Sequence, residues 1–188
     1  MKFISAGHCE DRKSKNYDPG AVGVDGRIEA VEAAKIRNRV IEILFQRGHT
    51  DIIRDLDSES LGEYLKRIKP GDGSVVVEFH FNASVNSKST GVEVVVGSDA
   101  DRLDNAFALE LAKATSDILA LKLRNGGVIP ENKTHRGRLG LMRETGIVAL
   151  VEVGFITNRS DMESFDAKFE AICQQYASII QKYDEIIK

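Results

Sequence analysis

Two stretches of the chain, VVVEFHF at 75–81 and IVALVEV at 147–153, are apolar almost without a break. A strand with one solvated face alternates apolar and polar side chains, whereas a strand covered on both faces does not. The pair therefore requires a largely parallel sheet with helices on each side. Strand-like and helix-like segments alternate along the rest of the chain. Strands are expected at KFISA (2–6), TDIIRD (50–55), VVVEFHFNA (75–83), GVEVVVG (91–97) and GIVALVEVGF (146–155). The first helix is expected over 29–46, where Ile36, Val40, Ile43 and Leu44 recur at helical spacing ahead of Gly48. Further helices are expected over 59–69, 99–122 and 161–188, and long loops over 7–26, 84–90 and 124–140. The expected architecture is α/β: a single domain over 1–188, with a central, mostly parallel, twisted sheet of about six strands flanked by helices.

Composition narrows the function classes. A hydrophobic fraction of 42% and a charged fraction of 29% are an ordinary globular mix. The net charge of -3 offers no basic surface for nucleic acid. No apolar run approaches the roughly 20 residues of a membrane span. The amino-terminal MKFISAGH returns to charge too soon for a signal-peptide core of about 7–15 residues. The expectation is synthesis in the cytoplasm with no signal peptide and no membrane span. Cys9 and Cys173 are too few for a disulfide framework and are expected as free thiols.

In an open α/β sheet, ligands bind beyond the carboxyl ends of the strands. His8 follows the apolar run FISA, His80 and Asn82 close VVVEFHFN, and Glu152 lies near the end of IVALVEV. Three strands thus deliver two imidazoles and a carboxylate to one sheet edge. Strand alternation puts Glu78, His80 and Asn82 on one face. Two His and one Glu form a known catalytic zinc set that leaves the fourth position open. His8 and His80 are the candidate imidazoles. The candidate carboxylate is Glu29, at the start of the first helix, with Glu32 on the same helical face as its competitor. Glu152 is left as the general base of a metal-assisted amide or ester hydrolysis. Singly, each residue has an ordinary structural explanation: a surface loop for His8, a core histidine for His80, an ion pair with Arg138 or Arg143 for Glu152, and the helix dipole for Glu29. Their joint placement favours the site.

The segments ISAGH, DPGAVGVDGRIE, FHFNAS and ALVEVGFITN occur in that order and together resemble the zinc-dependent N-acetylmuramoyl-L-alanine amidases of the amidase type 3 family. The resemblance covers the whole chain. It implies one Zn²⁺ per chain, held by His8, Glu29 and His80, and Glu152 as the general base. It also selects Glu29 over Glu32. The implied substrate is the amide between muramic acid and L-alanine in peptidoglycan, cleaved after release or host lysis, as by a phage-type endolysin or by a bacterial enzyme exported in some other way. Two other outcomes are consistent with the same residues: a degenerate metal-bound domain that only binds wall fragments, and a zinc hydrolase of the same fold acting on another amide. The chain departs from the family pattern at Cys9-Glu10, where a glycine pair is usual, and at Glu78, where a small polar residue is usual. Cys9 is thereby a candidate fourth ligand, and Glu78 a candidate acceptor that orients His80. The basic segment KTHRGR (133–138) is expected near the cleft, either as a solvated loop or as a contact for stem-peptide carboxylates.

Overall fold

The computed structural model describes all 188 residues. Six strands, β1 (Lys2–Ser5), β2 (Ile52–Arg54), β3 (Val75–Asn82), β4 (Val92–Val96), β5 (Leu123–Pro130) and β6 (Ile147–Phe155), form one sheet in the order β2-β1-β3-β6-β4-β5. Every neighbouring pair is parallel except β4 with β6. The two long apolar runs are the central strands, β3 and β6, and they lie side by side.

Four helices cover the sheet: α1 (Glu29–Gln46), α2 (Leu61–Arg67), α3 (Arg102–Leu119) and α4 (Arg159–Ile186). Their ends are set by local chemistry. α1 stops at Gly48, whose φ of 87° an L side chain rarely adopts. α2 and α3 start with capping boxes, Ser60 with Glu63 and Asp101 with Asp104. The Asn158 side chain caps α4.

The two faces of the sheet are covered unequally. Ile4, Val77, Phe79, Val94, Ala149 and Val151 point into a core of 35 buried residues shared with α1, α3 and α4. The opposite face, with Phe3, Val76, Val95, Val148 and Leu150, packs a cluster of only nine, closed by α2 and the 139–142 segment. This thinner face carries the alternate set Glu78, His80 and Glu152. Helices do flank both faces as expected, but three of the four share one of them.

One expectation needs correction. The sequence pattern predicts a loop over 124–140, yet its first seven residues belong to β5, which pairs in parallel with β4. Its sequence, LRNGGVIP, hides the strand. Asn125, Gly126 and Gly127 all have positive φ and interrupt the pairing, and register resumes at Val128.

Candidate metal centre

The site lies at the carboxyl ends of β1, β3 and β6. His80 of β3 is the direct register partner of Glu152 of β6, so both project from the same row of the sheet. Glu93 of β4 is in turn the partner of Glu152, and extends the row. His8 enters from the turn after β1. That turn depends on Gly7, whose φ is 70° and on which a Cβ would run into the His80 imidazole. Gly20 plays a similar part in the loop before α1: its φ is 64°, and an added Cβ would lie 2.7 Å from Glu29 Oε2 and 2.9 Å from His8 Cδ2. The glycines thus let two loops close on the site.

His8, Glu29 and His80 converge. One donor atom from each lies within 4.8 Å of the others. Glu29 Oε1 is 3.2 Å from His8 Nε2 and 3.0 Å from His80 Nδ1. Each imidazole is also held from behind by a carboxylate: His8 Nδ1 is 2.9 Å from Asp18 Oδ2, and His80 Nε2 is 3.0 Å from Glu78 Oε1. Glu78 is itself fixed by the Ser5 hydroxyl, which donates to Oε2 at 2.9 Å. Glu32 does not join the group and pairs with Lys35 and Arg27.

The electrostatics are those of a site short of cations. Burial alone would lower the pKa of both imidazoles, but the surrounding carboxylates outweigh it and hold both above the ordinary histidine value. Burial opposes ionisation of Glu29 too, yet the two imidazoles keep its carboxyl well below the usual range. Glu152 has no such close partner. Burial pushes its carboxyl up to about 7, and its Oε2 has no hydrogen-bond donor.

These observations fit a metal ion. His8 Nε2 is buried, lies 3.2 Å from Glu29 Oε1 and has no hydrogen-bond partner, so it is a ring nitrogen left unspent at the convergence. Two imidazoles and a carboxylate suit zinc, and a carboxylate behind each ligating histidine is the usual support for such a centre. Cys9 does not belong to the group: its thiol donates to the Asp57 carbonyl at 3.3 Å.

A family model described as N-acetylmuramoyl-L-alanine amidase matches residues 3–182. The chain belongs to this family. Among solved structures, an N-acetylmuramoyl-L-alanine amidase from Neisseria meningitidis is 30% identical, with a TM-score of 0.76 over 96% of this chain and 93% of that one. The catalytic domain of CwlV, an amidase from Bacillus (Paenibacillus) polymyxa, is 26% identical, with a TM-score of 0.64 over 98% and 94% of the two chains. The catalytic domain of the CD27L endolysin, which targets Clostridium difficile, shares the fold at 22% identity and a TM-score of 0.67, over 97% of each chain. No curated protein matches by sequence.

The amidase carries further site residues that sequence reasoning passed over. Asp18 stood in the DPGA segment without a role. Glu93 accepts from Asn82 at 3.0 Å and Asn125 at 2.5 Å, and so ties β3, β4 and β5 together beside Glu152. Its signal was available: a carboxylate inside the apolar GVEVVVG is as anomalous as Glu78 inside VVVEFHF. Arg37 lies fully buried on α1 and bonds Asp55 at 2.9 Å and Asp57 at 2.5 Å. Asp55 accepts from the Ala6 amide, so this pair braces the turn that presents His8.

Proposed function

We propose that His8, Glu29 and His80 bind one zinc ion and that Glu152 is the general base for cleavage of the amide between N-acetylmuramic acid and L-alanine in peptidoglycan. The observation that carries this reading is the convergence of the three donors next to Glu152, whose buried Oε2 has no hydrogen-bond donor. A zinc ion held there would supply Lewis-acid polarisation of the scissile carbonyl and lower the pKa of bound water. The chain supplies the rest. Asp18 and Glu78 fix the imidazole orientations. Glu152, with a carboxyl raised to about 7, is poised to take a proton from water and return it to the departing alanine nitrogen near neutral pH. A domain that only bound wall fragments would have no use for a base in this position. No helix is long and apolar enough to cross a membrane. Action on the wall after release or lysis is consistent with that.

Metal analysis of the purified protein, paired with release of alanine amino groups from peptidoglycan, tests the assignment. About one zinc per chain is expected. Glu152→Gln should keep the metal and lose release by about 10²–10⁴-fold, while His80→Ala should lose both. Full activity in Glu152→Gln would remove Glu152 from the chemistry.

A further inference from the structure

The basic segment Lys133–Arg138 supplies no donor to the metal centre. Several arginines elsewhere are committed: Arg37, Arg39, Arg67 and Arg159 each form ion pairs with carboxylates. Lys133, His135, Arg136 and Arg138 have no acidic neighbour within the segment, and their side chains make neither a hydrogen bond nor an ion pair. The backbone here is nevertheless fixed at both ends by Glu131. The Thr134 hydroxyl donates to the Glu131 carbonyl at 2.7 Å, and the Leu139 amide donates to Glu131 Oε2 at 2.5 Å.

Thr134, His135 and Arg136 of this anchored lip line the same cleft as His80 and Glu152. Four carboxylates also line the cleft, Asp18, Glu78, Glu93 and Glu152, and Arg136 is its sole Lys or Arg. Arg138, two residues on, lines a separate cavity. An exposed, unpaired guanidinium held at the rim of an acidic cleft is suited to an anion arriving from solvent, and its planar fork matches a carboxylate. The substrate offers that anion on one side only. The lactyl carboxyl of muramic acid is consumed in the scissile amide, and N-acetylated sugars are neutral. The peptide arm keeps its carboxylates.

We infer that Arg136 is a specificity-determining residue that binds a carboxylate on the residue following L-alanine, so that the enzyme favours anionic stems over amidated ones. This rests on the amidase reading above. The test compares N-acetylmuramoyl-L-alanyl-D-glutamate with its bis-amide on the zinc-loaded full chain. The wild type should favour the dianion about fivefold in kcat/KM, through KM and not kcat, as expected for a solvent-exposed charge pair. Arg136→Gln should erase the preference by weakening only the anionic substrate. Arg136→Lys should keep part of it, and Arg138→Gln should keep all of it. The inference is overturned if the preference survives Arg136→Gln, if both substrates suffer equally, or if Arg138→Gln erases the preference as well. Cleavage of neither substrate by the wild type would instead sink the amidase reading, and the inference with it.

Discussion

His80 makes sense only with the carboxylate behind it. With Nε2 committed to Glu78, Nδ1 is the nitrogen left to face Glu29 and His8. A small polar residue at position 78 would leave that orientation to other groups. Glu78→Gln is therefore expected to weaken zinc binding by about 10–100-fold, the usual cost of removing such a support, with little loss of stability because the amide oxygen can still accept from His80 while its NH2 donates to the Ser5 hydroxyl. Competition with a chelator of known affinity measures this, and unchanged affinity would show that packing alone orients the ring. At this scale much was legible in the sequence, because a histidine or glutamate inside an apolar strand is conspicuous. Asp18 and Arg37 were less so. They sit in polar loop and helix segments where a charge is unremarkable, and only the fold brings them to the site.

The elements matter through their ends. β1 supplies no donor of its own; the turn after it does, and that turn depends on Gly7, whose φ of 70° L side chains rarely adopt. Gly7→Ala would strain the backbone and drive a methyl into the His80 ring. A stability loss of about 1–3 kcal/mol is expected, together with at least a tenfold drop in zinc affinity. Denaturant unfolding read alongside metal titration checks both, and retained affinity would mean that the ring has room to shift. The helices and central strands were readable from periodicity and continuous apolarity. β5 was not, since its pairing is broken by three consecutive left-handed residues that read as loop. The antiparallel pairing of β4 was also hidden, because strand direction depends on how the chain returns and not on side-chain pattern.

The whole molecule is closed at the edge of the sheet opposite the cleft. Lys2 is fully buried there, with Nζ 2.9 Å from Asp184 Oδ2 and 2.6 Å from Asp51 Oδ1, and the terminal amine lies 3.2 Å from Asp184 Oδ1. Burial opposes ionisation of Asp184, but its ammonium partners hold the carboxyl well below its ordinary value. A depressed carboxyl adds stability above its unfolded pKa and gives it up as pH falls. Asp184→Asn leaves a buried ammonium underpaired and should cost roughly 2–4 kcal/mol at pH 7. The deficit should shrink as both proteins are acidified below about pH 4. Urea unfolding at several pH values checks the trend, and a pH-independent deficit would point to lost packing instead. Neither residue stood out in the sequence, because a lysine at position 2 and an aspartate near the end of an amphipathic helix look solvent-facing until the two ends meet. That meeting has a practical side. Met1 and Lys188 both reach Asp184 on the side away from the cleft, so a handle grafted on that side would leave the mouth of the catalyst pointing away from whatever support carries it.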